Sequence, residues 1–68
     1  APAYPDGLTQ REVEVLRLIS SGKTDWEISE ELLIGVRTVS THVGNILNKT
    51  NAANRTEAAS YANQRGMV

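Results

Sequence analysis

The chain has 68 residues, no Cys and a formal net charge of −1 at pH 7. A chain this short forms one domain at most, and its small core leaves it only marginally stable alone. The lack of Cys excludes a disulfide framework and a thiolate metal site, and no apolar run is long enough to span a membrane. We therefore expect one small cytoplasmic domain without a cofactor or a metal.

Charged residues are unevenly distributed along the chain. Residues 1–35 carry three Lys and Arg side chains against seven carboxylates, a net charge of −4, whereas residues 36–68 carry four against one, a net charge of +3. No carboxylate occurs between Glu31 and Glu57. This asymmetry favours one face that meets an anion, although the total charge weighs weakly against a nucleic-acid partner.

The first seven residues, "APAYPDG", contain two Pro and one Gly. Such punctuation is typical of a linker, and the lack of an initiator Met indicates a fragment or a processed chain. We therefore assign residues 1–7 to the end of a linker and residues 8–68 to the domain.

Capping motifs predict where helices begin. In "LTQREV", Thr9 is placed as the N-cap and Glu12 completes a capping box, while Leu8 and Val13 form a hydrophobic staple. The first helix then runs to about Ser20, and Gly22 supplies a left-handed cap. No segment alternates between apolar and polar residues for long enough to form a strand, so we expect no strands.

The same signals outline three further helices. "TDWE" repeats the capping box and starts a second helix over about residues 25–33. Gly35 is a tolerable N-cap for a third helix over about residues 36–49. Asn51 can end the third helix in a left-handed conformation. Asn54 with Glu57 forms a third cap, which begins the fourth helix. The fourth helix ends near Arg65 and Gly66.

The third helix has two contrasting faces. Its apolar residues recur at helical spacing and predict a buried face: Val39, Val43, Ile46 and Leu47. The opposite face, here called the polar stripe, consists of Arg37, Ser40, Thr41, Gly44, Asn45 and Asn48. Short polar residues of this kind let a helix enter a DNA groove and approach base edges. The short link before this helix suits the sharp crossing of a helix-turn-helix.

From Leu8 onward, the chain closely resembles the LuxR-type (GerE-like) DNA-binding domain of bacterial transcription regulators. The resemblance rests on "LTQREVEVL", the "EIS" of the second helix, "TV" and then His at positions 38, 39 and 42, "NIL" with Lys49, and "RTEA". It implies an all-α, four-helix domain in which the second and third helices form the helix-turn-helix. It also implies that the third helix enters the major groove of double-stranded DNA, that the fourth mediates dimerisation, and that regulatory domains precede this one in a larger chain.

The resemblance, the predicted helix N-termini and the small residues of the fourth helix together indicate a set of site residues. The expected DNA contacts are Thr24, Arg37, Thr38, Ser40, Thr41, Gly44, Asn45 and Lys49. The expected homodimer contacts are the small residues Ala58, Ala59 and Ala62, which permit close helix approach. Ser40 stands where the family very often has Lys, and Gly44 where a larger polar or basic residue is frequent. Neither makes the bidentate contact to guanine that Arg or Lys makes, whereas the Thr41 methyl suits a thymine methyl.

Two side chains keep alternative interpretations, and the only His has one. Arg55 is either a phosphate contact or a solvated charge. Trp26 belongs either to a partner-contact patch or to a half-buried ring that covers its own domain. His42, the only His, has neither the Cys partners for a metal site nor an orienting group for catalysis, so we expect it at the edge of the core.

Two functions are compatible with these features. The first is a DNA-binding output domain of a bacterial transcription regulator. The second is a protein-interaction module on the same scaffold, with DNA binding weakened or lost. An enzyme is not expected, because the carboxylates of Glu12, Glu27 and Glu57 are better explained as helix caps, and no nucleophile with a nearby base is visible.

Overall fold

The computed structural model describes residues 4–66 and forms no strand among them. The helices are α1 (Gln10–Ser20), α2 (Asp25–Leu32), α3 (Val36–Thr50) and α4 (Arg55–Gln64), preceded by a 3-10 turn at Pro5–Gly7. Each helix therefore lies within one residue of its predicted bounds, and the all-α prediction is confirmed. No helix of this described part combines the length and apolar composition needed to cross a membrane.

Two capping boxes begin α1 and α2 as predicted. The Thr9 hydroxyl oxygen accepts from the Glu12 N–H at 3.2 Å, and the Glu12 carboxylate accepts from the Thr9 N–H at 3.0 Å. Thr24 and Glu27 exchange the same pair of bonds at 3.2 and 2.9 Å. These local bonds satisfy N–H groups that the first helical turn leaves without partners.

The cap of α4 differs in one bond from the predicted pattern. The Asn54 side chain accepts from the Glu57 N–H at 3.0 Å, as expected. The Glu57 carboxylate, however, accepts from the N–H of Ala53 at 2.9 Å, one residue earlier than a capping box requires. Asn54 is fully extended, with φ −158° and ψ 178°, and the preceding N–H faces the carboxylate.

Both α2 and α3 end at a residue in the left-handed conformation, Leu33 with φ 57° and Asn51 with φ 60°. The next N–H in each case, from Ile34 and Ala52, bonds to the carbonyl five residues back at 3.1 Å. Asn is common at such a position, whereas Leu carries a Cβ that crowds the following carbonyl. Leu33 therefore caps the second helix rather than extending it, and residues 33–35 form the link of the helix-turn-helix.

The core lies where α1 packs against α3 and α4, while α2 packs against α3. The apolar face predicted for the third helix is confirmed: Val39 and Ile46 are fully buried and Leu47 packs against the core. Burial of a side chain as large as Leu or Ile contributes roughly 1.5–3 kcal/mol. The buried apolar residues are Leu8, Val13, Val15, Leu16, Ile19, Ile28, Val39, Val43, Ile46, Ala58 and Ala62.

The described part of the predicted linker end packs against the domain. Tyr4 packs against the core, and the Gly7 carbonyl accepts from the Lys49 ammonium group at 3.1 Å. The Tyr61 hydroxyl of α4 donates to the Asp6 carboxylate. Residues 4–7 thus contact α3 and α4, whereas residues 1–3 and 67–68 of the two assigned segments lie outside the described residues.

Candidate nucleic-acid interface

The polar stripe of α3 is exposed along its whole length. It faces away from the core because its residues lie opposite Val39, Val43 and Ile46 on the helix. Several intrinsically poor helix formers stand here, so the helix is held mainly by the burial of its other face. The Thr41 hydroxyl donates to the Arg37 carbonyl at 3.2 Å within the helix.

Gly44 presents bare backbone at the middle of the polar stripe. A Cβ built at this position meets no atom within 4 Å. Its backbone is also α-helical rather than left-handed, so the position does not need glycine for conformational reasons. The open space is consistent with a surface that another molecule can approach closely.

The beginning of α2 lies beside the polar stripe. The Ser40 hydroxyl donates to the Asp25 carboxylate at 3.4 Å. Thr24 is exposed at the N-cap of α2, where its side-chain oxygen accepts a hydrogen bond from the Glu27 N–H. Thr38 is exposed in the first turn of α3. Ser40 of the polar stripe therefore lies beside the start of α2.

Arg55 is paired within the domain. Its guanidinium group forms an ion pair with Asp25 and donates to the Lys23 carbonyl at 3.0 Å. These bonds tie the start of α4 to the start of α2. The positive charge of Arg55 is thus partly neutralised by a carboxylate of its own domain.

Lys49 is also engaged within the domain. Its ammonium nitrogen lies 2.7 Å from a carboxylate oxygen of Glu12, whose side chain is only 4% exposed. The sequence placed Lys49 among the DNA contacts, but the ammonium group points to α1 and the Gly7 carbonyl rather than along the polar stripe. The sequence analysis assigned the Glu12 carboxylate only to helix capping and did not predict its ion pair with Lys49.

The environment of Glu12 lowers the pKa of its carboxyl group. Burial alone raises the pKa of this carboxyl, but the hydrogen bonds from Lys49 and from the Thr9 N–H outweigh it, so its pKa lies below the ordinary value of 4.5. The pKa of Glu27 is also lowered, chiefly by the hydrogen bond from the Thr24 N–H. Glu12 is therefore ionised at neutral pH and forms a charged pair with Lys49.

The small residues of α4 do not present the surface that was expected. Ala58 and Ala62 have no exposed surface because they belong to the core. They cannot contact a second copy in this conformation, and Ala59 is itself partly buried. The exposed side of α4 instead includes Thr56, Ser60 and Asn63.

Among the described residues, three large apolar side chains are exposed, all near the helix-turn-helix: Trp26 at 65%, Leu33 at 89% and Val36 at 40%. The interpretation of Trp26 as a ring covering its own domain is therefore wrong. His42 is partly buried, and its Nδ1 makes no hydrogen bond within residues 4–66. Its position at the edge of the core agrees with the prediction.

Within residues 4–66, four helices with a three-residue link between α2 and α3, and an exposed polar stripe on α3, define a helix-turn-helix domain. Residues 6–62 match the family described as bacterial regulatory proteins, luxR family. The chain belongs to this family, and residues 6–62 contain its helix-turn-helix domain.

Several curated relatives are similar over most of this chain. It is 51% identical over 63 residues to the transcriptional regulatory protein LiaR of Bacillus subtilis (strain 168), covering 93% of this chain and 30% of LiaR. It is 48% identical to the uncharacterized transcriptional regulatory protein YvfU of the same strain, covering 90% of this chain and 30% of YvfU. It is 44% identical to the response regulator protein VraR of Staphylococcus aureus (strain Mu3 / ATCC 700698), covering 90% of this chain and 29% of VraR. The chain thus spans about 30% of the length of these relatives.

Proposed function

We propose that the domain binds double-stranded DNA by placing α3 in the major groove, as the output module of a longer cytoplasmic regulator. The observation that carries this proposal is the polar stripe, which is exposed and free of long side chains apart from Arg37. The major groove, about 12 Å wide, admits an α-helix whose short side chains reach base edges. The greater length of the relatives supports further, regulatory domains in the same protein.

The proposed contacts divide by chemistry. Ser40, Thr41 and Asn45 face base edges, and Gly44 allows the backbone of α3 to approach them. An Asn side chain has the geometry to pair with adenine, and the Thr41 methyl suits a thymine methyl, since its hydroxyl is used within the helix.

Phosphate contacts come from Arg37, Thr38 and Thr24 in this proposal. Arg37 is the only cation of the polar stripe, and the other two are exposed near helix N-termini. Lys49 is left out of this set, because its ammonium group already neutralises Glu12.

We also propose a homodimer through the exposed side of α4. Thr56, Ser60 and Asn63 are exposed there and small enough to let two helices approach. A two-fold dimer would place two copies of α3 in successive major grooves, about 34 Å apart. This surface replaces the buried Ala58 and Ala62 as the expected contact.

A protein-interaction module remains the second candidate. It is favoured by the exposed Trp26 and Leu33, and by the ion pairs that occupy Lys49 and Arg55. On this alternative the polar stripe contacts a protein rather than DNA.

A titration with generic duplex DNA at low and moderate salt separates the two candidates. DNA binding predicts a complex at low salt that weakens as salt rises, because bound phosphates release counterions. Arg37→Ala is the matched variant, since it removes one exposed cation and no buried contact. A wild-type domain that is folded but shows no DNA binding at low salt would reject the proposed function.

A further inference from the structure

Asp25, the first residue of α2, joins three helices through one carboxylate. One of its oxygens accepts from the Arg55 guanidinium group at the start of α4. The other oxygen accepts from the Ser40 hydroxyl of α3 at 3.4 Å. The Asp25 side chain is 32% exposed, so this cluster lies at the surface beside the polar stripe.

The chemistry of the three groups determines where the Ser40 proton points. A guanidinium group can only donate and an ionised carboxylate can only accept hydrogen bonds. The Ser40 hydroxyl therefore directs its proton at Asp25 and presents its oxygen lone pairs to the exterior. Arg55 also donates to the Lys23 carbonyl at 3.0 Å, so the guanidinium group that binds Asp25 is itself held in place.

We infer that Asp25 is a positioning residue that sets base specificity by holding Ser40 as a hydrogen-bond acceptor. This inference rests on the proposed function, in which Ser40 faces base edges. An acceptor at position 40 pairs with the amino group of adenine or cytosine, and is repelled by the acceptor atoms that guanine and thymine present in the major groove. The negative charge of Asp25 also attracts an amino group and repels acceptor atoms at this position.

Asp25→Asn reverses the direction of the hydroxyl. The amide oxygen of Asn stays with Arg55, because the guanidinium group only donates. The amide nitrogen then faces Ser40 and donates to it, so that the Ser40 proton turns to the exterior. Position 40 becomes a donor, and its preference shifts to guanine or thymine.

The test begins with selection of duplexes from a randomised library by the wild-type domain. The base position whose preference is lost in Ser40→Ala identifies the contact. Dissociation constants are then measured for all four base pairs there, with wild type, Asp25→Asn, Ser40→Ala and the double variant. We expect wild type to favour adenine or cytosine by about three- to tenfold, as one hydrogen bond provides. We expect Asp25→Asn to invert this order and both Ser40→Ala variants to abolish it.

Two further variants guard against a loss of folding. Ser40→Thr keeps a hydroxyl and should keep the wild-type preference. Asp25→Ala frees the hydroxyl to rotate and should leave no preference, and thermal unfolding identifies which variants are folded. If a folded Asp25 variant binds all four base pairs more weakly but in the wild-type order, Asp25 is only structural and the inference is wrong. A selected site in which no position responds to Ser40→Ala rejects the inference but leaves the proposed function intact, whereas no binding to any duplex rejects both.

Discussion

Glu12 shows how one residue combines two structural tasks. Its carboxylate accepts from the Thr9 N–H at 3.0 Å and from the Lys49 ammonium group at 2.7 Å. The first bond caps α1, and the second joins α1 to the last turn of α3. A buried carboxylate needs such partners, because an ionised group without them is costly to remove from water.

Glu12→Gln should destabilise the domain by about 1–2 kcal/mol at neutral pH, since the cap survives but the attraction between the carboxylate charge and the Lys49 ammonium charge does not. For a domain of this size the melting temperature should fall by roughly 5–15 °C. Thermal denaturation followed by circular dichroism measures the change. Glu27→Gln is the matched control, because Glu27 caps α2 in the same way but is exposed. Equal losses in the two variants would show that the pair with Lys49 contributes nothing.

The pH dependence follows from the lowered pKa of Glu12. Its stabilising contribution is complete above the ordinary value of 4.5 and is lost as the pH falls through the lower folded-state pKa. The difference in unfolding free energy between wild type and Glu12→Gln should therefore shrink as the solution is acidified below that value. A constant difference across this range would contradict the assignment.

Gly44→Ala should stabilise the free domain by about 1 kcal/mol, because glycine in a helix interior costs conformational entropy. The added Cβ meets no atom within 4 Å, so no strain offsets the gain. Thermal unfolding without DNA measures this effect separately from any effect on binding. A lower melting temperature would show that the position is constrained by something other than helix propensity.

At the scale of an element, the polar stripe of α3 can be changed without altering the buried face of the same helix. Ser40→Lys adds a cation to the polar stripe and should tighten DNA binding at low salt, with the gain reduced as salt rises. The neighbouring Asp25 carboxylate competes for that cation, so Ser40→Lys combined with Asp25→Asn should gain more. No gain at low salt in either variant would overturn the assignment of this face to DNA.

Arg37→Ala tests the same element by removal of charge. It should weaken binding to all sequences alike and flatten the salt slope by about one unit, as expected for a phosphate contact. Duplex titrations at several salt concentrations give that slope. A loss confined to one sequence would instead identify Arg37 as a base contact.

The helix α4 offers a matched pair of substitutions. Ser60→Arg changes an exposed residue and should weaken self-association while the monomer stays folded. Ala62→Arg places a charge in a fully buried position and should unfold the domain. Sedimentation gives the association state and circular dichroism the fold. If Ser60→Arg leaves an association intact, the dimer surface lies elsewhere on the molecule.

Charge governs binding at the scale of the whole molecule. The domain has a net charge of −1, and two cations of its basic half, Lys49 and Arg55, are paired with carboxylates. Few counterions are therefore released on binding, and the logarithm of affinity should fall with the logarithm of salt with a slope of about −1 to −3 per domain. A slope near the roughly −10 of a strongly charged repressor would show that these ion pairs open to meet phosphate.

The sequence alone determined the helices and the outward face of α3. Helix starts are set by bonds between residues three apart, as in Thr9 with Glu12, and such bonds form within a single turn. The stripe of α3 follows from the period of about 3.6 residues, because burial of Val39 and Ile46 turns Thr41 and Asn48 outward.

Only the tertiary structure decided which charges are available. Lys49 meets Glu12 across 37 residues of sequence and Arg55 meets Asp25 across 30. The same holds for Ala58 and Ala62, whose small size suggested an interface but which α1 buries in the core. Capping and periodicity act within a helix, whereas these pairings depend on how separate helices cross, and no local pattern of residues specifies that geometry.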